Sequence, residues 1–317
     1  MEYLILIVSL ALIIFGAMLL TDGSVALAGR FRVPEFIVGL TIVAVGTSMP
    51  ELTVSFISAL NGESAMAIGN VVGSNIFNVL GILGLTVLIM PVAVSKENKR
   101  FDLPLCIGLS ILTMLLVFNF FTGGDATLSR IDGLVLLAVF TLFMYFSLKG
   151  GKDKKAVESD EVITNKKLLF GVGKLIVGLV ALVVASKYFL DNAITIARAW
   201  GVKDSFIAIT LVACGTSLPE LAASLAAAAK KNTQMALGNV IGSNIFNLSL
   251  ILGVASQITP LASSGIGYVD YAAMIFAGAA PLLLCYKGKL NRWAGAILFI
   301  CFVAYNYYLI ANASNVG

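Results

Sequence analysis

The chain has 317 residues, of which 59% are hydrophobic and 12% are charged, with a formal net charge of +4. A soluble domain has about 25% charged residues, so this composition excludes an ordinary soluble domain and predicts a polytopic membrane protein. The small, scattered charge gives no reason to expect nucleic acid as a partner. The absence of histidine excludes His-ligated zinc and Ser-His-Asp catalysis.

Apolar runs recur along the whole chain, and most exceed the roughly 20 residues that a helix needs to cross a bilayer. We therefore predict an all-α polytopic membrane protein with ten transmembrane helices. The expected spans are residues 3–29, 35–60, 65–91, 103–122, 129–148, 168–198, 204–229, 233–260, 268–286 and 293–312. The one long polar connection, KGGKDKKAVESDEVITNKK at residues 149–167, predicts a flexible linker after the fifth span.

The basic residues indicate the side of the membrane on which each loop lies. Lys and Arg are frequent in the loops that follow odd-numbered spans, as at Arg30, Lys96, Lys152 and Lys230, and are few in the others. Because basic loops stay in the cytoplasm, we expect residues 149–167 inside the cell and both termini outside. The predicted location is the cell membrane, plasma or inner, as a multi-pass protein.

A repeat relates the two halves of the chain. The segment IVGLTIVAVGTSMPEL at 37–52 aligns with FIAITLVACGTSLPEL at 206–221, and MAIGNVVGSNIFN at 66–78 aligns with MALGNVIGSNIFN at 235–247. We therefore expect two repeats of five helices, residues 1–148 and 168–317. Because five is odd, the second repeat enters from the opposite side, which gives two inverted units, as in many secondary transporters.

The repeated GTS(M/L)PEL segment concentrates oxygen atoms. Pro50 and Pro219 each interrupt a helix and free a backbone carbonyl, which at membrane depth is tolerated only inside protein or beside a polar cavity. Thr47 and Glu51 lie one turn apart on one face, with Ser48 beside them. Each copy thus combines hydroxyl, carbonyl and carboxylate oxygens.

Two buried carboxylates, Glu51 and Glu220, need compensation, because each costs about 2.5–3.5 kcal/mol at the centre of a membrane helix. A bound cation would supply it. A protonated carboxyl or a pair with lysine is the alternative, and it is disfavoured because no Lys or Arg lies in the four repeated segments.

The companion segment GNV(V/I)GSNIFN places polar residues every four positions, which makes a stripe on one helix face. We expect Ser74 and Asn78, with Ser243 and Asn247, to act as ligands. The other asparagines are expected to hydrogen-bond across helices or to the broken backbone: Asn70, Asn75, Asn239 and Asn244. The interleaved glycines are expected to permit close helix packing: Gly69, Gly73, Gly238 and Gly242.

All these candidate ligands are hard oxygens, which suit Ca²⁺ and Na⁺. The two glutamates give a formal charge of −2, which one Ca²⁺ would neutralise, and the same site could hold several Na⁺ instead. One site that accepts either load in turn is an exchanger.

The paired GTS(M/L)PEL and GNV(V/I)GSNIFN segments resemble the repeats of the sodium/calcium exchanger family, and the chain is similar to its compact prokaryotic members over essentially its whole length. The resemblance implies ten transmembrane helices, with the second, third, seventh and eighth as the ion-binding core. It implies that the first and sixth slide across this core to alternate access. It also implies a secondary active antiporter with Na⁺ and Ca²⁺ as substrates, no cofactor and no enzymatic activity.

The same resemblance assigns ligand roles. The carboxylates of Glu51 and Glu220 and the carbonyls of Thr47 and Thr216 would bind Ca²⁺. Six residues would complete flanking sodium sites with the glutamates: Ala44, Ser48, Ser74, Ala213, Ser217 and Ser243. The centre would be lined by Asn78 and Asn247.

One position departs from some relatives. Potassium-dependent exchangers, among others, carry Asp where this chain has Asn247, so we expect exchange here to be independent of K⁺. The family's usual three Na⁺ for one Ca²⁺ would load the site to a net positive charge in the sodium state, which predicts electrogenic transport. Low cytosolic calcium and inward sodium gradients favour Ca²⁺ extrusion.

Three other functions compete with this interpretation. A calcium/proton exchanger would use the same glutamates, protonated instead of bound to sodium; the many hydroxyl groups favour sodium but do not decide. A cation channel is disfavoured, because channels usually repeat around an axis along the membrane normal. An intramembrane protease is disfavoured because the serines of GTS have no His or Lys partner.

Overall fold

The computed structural model describes residues 2–31, 33–120, 125–153, 165–200 and 213–313. In these residues the chain forms helices and four two-residue strands. The helices are α1 (Glu2–Phe31), α2 (Glu35–Thr47), α3 (Met49–Leu60), α4 (Ser64–Ile89), α5 (Asn98–Val117), α6 (Arg130–Asp153), α7 (Asn165–Ala199), α8 (Ala213–Gly215), α9 (Leu218–Ala229), α10 (Thr233–Ile258), α11 (Tyr268–Leu284) and α12 (Arg292–Ala313). The strands are β1 (Val92–Ala93), β2 (Thr127–Leu128), β3 (Leu261–Ala262) and β4 (Lys289–Leu290).

These helices agree with most of the predicted spans. Seven of the described helices are long and apolar enough to cross a membrane, and the bent pair α2 and α3 would be an eighth. The ninth expected span corresponds to α11, a shorter apolar helix of 17 residues. Of the seventh expected span, residues 204–212 lie outside the described residues.

Several predicted boundaries are wrong; besides those described below, α5 ends at Val117 and not at residue 122. The fourth span begins at Asn98, not 103, because Ser95 and Asn98 cap each other: Ser95 N donates to Asn98 Oδ1 at 2.9 Å and Asn98 N to Ser95 Oγ at 3.0 Å. The expected linker 149–167 is too long, since α6 continues to Asp153 and α7 begins at Asn165. At the start of α7 the added residues include Lys166 and Lys167, and lysine is a good helix former; the sequence offers no such reason at the end of α6, where Gly150 and Gly151 precede Asp153. Residues 154–164 lie outside the described part.

The helices α4 and α10 form the interior. In these two helices 78% and 89% of the apolar window is buried, compared with 17% to 39% in the other long spans. Their apolar residues, such as Ile68, Val71, Ile245 and Leu248, are fully buried in the largest core cluster. The polar stripes of the repeated segments are therefore carried by the two helices that lie farthest from lipid.

The long helices α1 and α7 pack closely through glycines. A Cβ atom on Gly178 would lie 2.5 Å from the backbone nitrogen of Leu20, and one on Gly23 would lie 2.5 Å from the carbonyl oxygen of Gly171. Only glycine lets the two backbones approach so closely. The helices α1 and α7 thus contact each other along much of their length.

Two small antiparallel ladders join the halves of the chain. In one, Val92 pairs with Leu290 and Ala93 with Lys289; in the other, Thr127 pairs with Ala262 and Leu128 with Leu261. Each ladder combines a strand that follows a helix of the first half with one from the second. They connect the two halves away from the polar stripes.

Candidate cation-binding site

The site is built on two broken helices. The axes of α2 and α3 differ by 45°, and Ser48 between them has a non-helical backbone (φ −82°, ψ 10°). Pro50 occupies the first turn of α3, where its missing N–H costs no helical hydrogen bond. Glu51 follows in the same turn, so its carboxylate lies at the positive end of the helix dipole.

The second copy has the same local structure. Ser217 is non-helical (φ −91°, ψ 14°), and Pro219 and Glu220 occupy the first turn of α9. The side chains of Glu51, Glu220, Ser48 and Ser217 are all fully buried. Both halves therefore place a carboxylate beside a helix break, as the sequence predicted.

The two halves exchange hydrogen bonds across the site. Ser48 Oγ donates to Glu220 Oε1 at 2.8 Å, and Ser217 Oγ donates to Glu51 Oε1 at 2.7 Å. These two bonds are equivalent under the alignment of the repeats. We call the four side chains the crossed pairs. Each carboxylate is thus oriented by a serine from the other half.

Asparagines of the companion helices hold the broken backbones. Asn70 Nδ2 donates to the Glu51 carbonyl at 3.1 Å and to Ser55 Oγ at 2.9 Å. In the other half, Asn239 Nδ2 donates to the Glu220 carbonyl at 3.3 Å and to Ser224 Oγ at 3.0 Å. The expectation that Asn70 and Asn239 bond to the broken backbone is confirmed.

The threonine hydroxyls point to those same asparagines. Thr47 Oγ1 lies 3.2 Å from Asn239 Oδ1, and Thr216 Oγ1 lies 3.5 Å from Asn70 Oδ1. Both hydroxyls are therefore occupied by bonds to the opposite half. This leaves the threonine carbonyls, which the family resemblance assigns to Ca²⁺, as the groups that could face an ion.

The centre of the cluster is less symmetric than its flanks. Asn78 Nδ2 donates to Asn244 Oδ1 at 3.0 Å, and Asn244 Nδ2 donates to the Asn75 carbonyl at 3.1 Å. The equivalent bonds from Asn247 are absent among the described residues, and neither amide atom of Asn75 has a partner. Asn70, Asn75, Asn239 and Asn244 were all expected to hydrogen-bond across helices or to the broken backbone. This prediction is wrong for the side chain of Asn75.

The helix turn that carries these central residues is also wider than an α-turn. The chain forms π-helical turns at Phe77–Leu83 and at Asn247–Ile251. Such turns are frequent at functional sites. They contain Asn78 and Asn247, and no signal in the sequence predicted them.

Several buried oxygens have no hydrogen-bond partner in the part of the chain that the structure describes. Those in the four repeated segments are Glu51 Oε2, Glu220 Oε2, Ser243 Oγ, Asn75 Oδ1, Asn78 Oδ1 and Asn247 Oδ1. Neither glutamate is paired with a described lysine or arginine. An unpartnered buried oxygen is costly, and a set of them around two carboxylates suits a hard cation, which needs many oxygens.

The remaining predicted ligands are placed as follows. Ser74 is buried, with its Oγ 3.2 Å from Ser217 Oγ. Ala44 is fully buried, and its carbonyl accepts the Ser48 N–H at 3.0 Å. Ala213 begins α8, and its side chain lies outside the described part. Hydrogen bonds thus connect each carboxylate to a serine of the other half and Ser217 to Ser74, whereas Asn78 bonds only to Asn244 among the described residues.

The glycines of the companion helices differ from one another. A Cβ atom on Gly238 or Gly242 would lie 2.3 Å from a backbone oxygen of α2, which confirms close packing there. At Gly73 a Cβ would meet nothing within 4 Å among the described residues. The segment of the second half that is equivalent to this part of α2, residues 205–212, lies outside the described residues, so close packing at Gly69 and Gly73 stays a prediction.

A cavity of about 630 Å³ reaches the edge of the cluster. Its wall includes Pro50, Gly215 and Thr216, together with Thr53 on α3 and the segment of α7 around Ser186. No pattern in the sequence predicted that α7 contributes to this wall. The alignment of the repeats could have shown Ser55 and Ser224 as equivalent partners of the asparagines.

Comparison with known proteins identifies the class of molecule that this arrangement belongs to. The sequence model described as "Sodium/calcium exchanger protein" matches residues 1–149 and 170–311. The putative antiporter CaxA of Alkalimonas amylolytica is 36% identical over 96% of this chain and 98% of its own length. The sodium/calcium exchanger MaX1 of Methanosarcina acetivorans is 31% identical over 96% of this chain and 97% of its own length.

Solved structures of the sodium-calcium exchanger NCX_Mj share the fold. One, soaked with Na⁺ and Sr²⁺, superposes with a TM-score of 0.84 and 32% identity, covering 96% of each chain. The chain therefore belongs to the sodium/calcium exchanger family. It is a membrane antiporter and not an enzyme, as the repeated segments predicted.

Proposed function

We propose that this protein exchanges Na⁺ for Ca²⁺ at one buried site between the two halves. The observation that carries the proposal is the geometry of the crossed pairs. Each carboxylate has one oxygen fixed by a serine of the other half and a second oxygen without a partner among the described residues. A cation that replaces water around such oriented oxygens needs little reorganisation of the protein.

The ligand roles follow from this placement and from the family resemblance. Glu51 and Glu220, with the carbonyls of Thr47 and Thr216, form the calcium site. Flanking sodium sites use six further residues together with the glutamates: Ala44, Ser48, Ser74, Ala213, Ser217 and Ser243. Asn78 and Asn247 line the centre, and the lack of a partner for their amide oxygens among the described residues supports this role.

The architecture that we propose has ten transmembrane helices in two inverted repeats, residues 1–148 and 168–317, joined by a cytoplasmic segment. The equivalence of the crossed pairs under the alignment of the repeats supports it. The first and sixth helices, α1 and α7, slide together across the core to alternate access. Their mutual glycine contacts support motion as one unit.

The charge of the site determines the electrical character of transport. Two carboxylates are neutralised by one Ca²⁺ and overcompensated by three Na⁺, so the exchange moves net charge. With Asn at both central positions no third carboxylate is present to hold K⁺, and exchange is K⁺-independent. The physiological direction is Ca²⁺ extrusion across the cell membrane, with both termini outside.

Uptake of ⁴⁵Ca into proteoliposomes tests the proposal. An outward sodium gradient should drive uptake, and an inside-negative potential should slow it, because charge leaves with Na⁺. Uptake driven by a proton gradient alone would assign a calcium/proton exchanger instead. Flux without any counter-gradient would indicate a channel, and peptide cleavage without flux would indicate a protease.

Cysteine labelling tests the orientation. Single cysteines at residues 155–163, in a background without native cysteines, should react with an impermeant maleimide only from the cytoplasmic face. Labelling from the outside would reverse the topology without affecting the exchange reaction.

A further inference from the structure

Asp22 on α1 and Asp191 on α7 occupy equivalent positions in the two repeats, but their surroundings differ. The Asp22 carboxylate lies between two lysines: Lys174 Nζ is 3.3 Å from its Oδ2, and Lys230 Nζ contacts its Oδ1. Lys230 also donates to the Met18 carbonyl at 3.0 Å. Within the described ranges Asp191 forms no ion pair, and its side chain is exposed.

The same difference holds for the cavities beside the two helices. Asp191 lines the cavity of about 630 Å³ that also includes Thr53, Lys187 and Thr216. Among the described residues, the cavity of about 400 Å³ between α1 and α9 is lined by apolar side chains, and its lining includes neither Asp22 nor a residue of the predicted cation site. Of these two cavities, the one beside Asp191 therefore carries charged and hydroxyl side chains and reaches Thr216.

Ser186 gives the polar cavity an oxygen that the protein does not use. It lines the cavity, its residue is only 3% exposed, and its Oγ has no partner among the residues described. The equivalent residue in the first repeat is Ala17, in the wall of the apolar cavity. An unpartnered hydroxyl is costly unless something binds to it.

We propose that Asp191 and Ser186 form an entry site, which takes a hydrated Na⁺ or Ca²⁺ ion from water before the ion moves to Thr216 and the crossed pairs. This inference deepens the exchange function proposed above and rests on it. Asp191 supplies charge and Ser186 an oxygen. Six to eight waters of about 30 Å³ each fit in the cavity with the ion.

Lys187 adds a positive charge to the entry site, and this charge repels the incoming cation. It lies one turn before Asp191 and lines the same cavity, so its charge opposes the cation that Asp191 attracts. Asp22 is the equivalent acid of the first repeat, and its carboxylate is occupied by Lys174 and Lys230. The acid of the second repeat is thus available to a cation, whereas the equivalent acid of the first repeat is neutralised by two lysines.

Apparent KM values for Na⁺ and Ca²⁺, measured on each face in right-side-out and inside-out vesicles at low ionic strength, test the entry site. In Asp191→Asn we expect KM to rise only on the face that bears the cavity. The rise should be about fourfold for Na⁺ and about tenfold or more for Ca²⁺, because the Coulomb energy doubles with the charge of the ion. The maximal rate should be unchanged, and added salt should remove the effect.

Matched variants sharpen the result. Lys187→Gln should lower both KM values on the same face, with the larger change for Ca²⁺. Ser186→Ala should raise both KM values by a smaller, salt-independent factor. Glu63→Gln removes an equal charge from an exposed residue beyond the end of α3, outside the cavity, and should change neither KM.

Unchanged KM values in both Asp191→Asn and Lys187→Gln would overturn the entry site, as would equal shifts for Na⁺ and Ca²⁺ or shifts on both faces. If Asp191→Asn does not fold, Lys187→Gln decides alone. A wild-type protein without Na⁺-driven Ca²⁺ flux would refute the proposed exchange function instead, so the two failures are distinguishable.

Discussion

Ser217 donates a hydrogen bond of 2.7 Å to Glu51 Oε1, although the two residues are 166 positions apart in the chain. Its counterpart from Ser48 to Glu220 is 2.8 Å long. Each carboxylate therefore accepts a short hydrogen bond from a serine of the opposite half. This arrangement orients one oxygen and leaves the other available, and it makes ion binding depend on the contact between halves.

Removing either serine hydroxyl should weaken ion binding. A hydrogen bond to a charged group contributes about 1.5–3 kcal/mol, so we expect Ser48→Ala and Ser217→Ala each to raise the apparent KM for Ca²⁺ about 10- to 100-fold. Initial rates of ⁴⁵Ca exchange over a range of Ca²⁺ concentrations measure this change. Ser110→Ala is the control, because Ser110 is equally buried but its Oγ donates to the Cys106 carbonyl within α5. If Ser110→Ala lost as much affinity for Ca²⁺ as Ser48→Ala and Ser217→Ala, the assignment of the two serines to the ion site would be contradicted.

Neutralising either glutamate should abolish exchange and leave the fold intact. In Glu51→Gln and Glu220→Gln the amide oxygen can still accept the serine hydroxyl, but the charge that balances the cation is lost. In buffer without Na⁺ and Ca²⁺ these variants should unfold at a higher temperature than the wild type, because a buried charge without a partner is removed. They should also lose the rise in Tm that Ca²⁺ gives the wild type. Near-normal flux in either variant would refute the ligand assignment.

A methyl group between α1 and α7 should impair transport more than ion binding. A Cβ on Gly178 would lie 2.5 Å from the backbone nitrogen of Leu20, so Gly178→Ala forces the helices apart. We expect a lower kcat, at least several-fold, with little change in KM. Gly173→Ala is a matched control on α7, since a Cβ there meets nothing within 4 Å. Equal rates in the two variants would argue against α1 and α7 moving as a unit.

The central asparagines should respond differently to a negative charge. Asn247 has no amide partner among the described residues, whereas Asn78 Nδ2 donates to Asn244 Oδ1 at 3.0 Å. Asn247→Asp should therefore fold and change the dependence of exchange on Na⁺ and K⁺. Asn78→Asp places an acceptor against an acceptor and should lower Tm. An Asn247→Asp protein with wild-type ion dependence would place this residue outside the ion site.

Breaking the ion pairs of Asp22 should shift the conformational equilibrium. Each lysine pair is about one-third exposed, and such pairs contribute up to about 1 kcal/mol. In Lys230→Asp we expect a cysteine at Ala226, in the apolar cavity beside α1, to react several-fold faster with a thiol reagent. The exchange of charges in Asp22→Lys with Lys230→Asp should restore the slow rate. Lys231→Asn, in the same turn, is the control. A specific pair would be contradicted if Lys231→Asn restored the slow rate in the Lys230→Asp protein, or if the exchange of charges did not restore it.

Much of the site could be predicted because the repeat gives the same information twice. Pro50 and Pro219 identified the breaks, and the spacing of Glu51 and Thr47 predicted one polar face. The break lies at Ser48, two residues before Pro50, because proline is well accommodated in the first turn of the following helix. The family then followed from motifs that are specific in both copies.

Other features could not be read from the sequence. The crossed direction of the serine bonds depends on how the halves face each other, which the periodicity of a single helix does not contain. The same is true of the Asp22 ion pairs, since Lys174 and Lys230 are distant in sequence from Asp22. The wide turns at Asn78 and Asn247 have no residue signature, because π-helical turns form where packing of neighbours favours them.

The crossed pairs have a consequence for the origin of this chain. The residue in the first half that corresponds to Ser217 is Ser48, so two copies of the first half alone, laid antiparallel, would contain every donor and acceptor of those pairs. A half-length ancestor would need only to insert into the membrane in both orientations to build a working dimer. Fusion of two such genes would fix one copy in each orientation and let the halves diverge. The two lysines that pair with Asp22 have no equivalents at Asp191, and they are an example of such divergence.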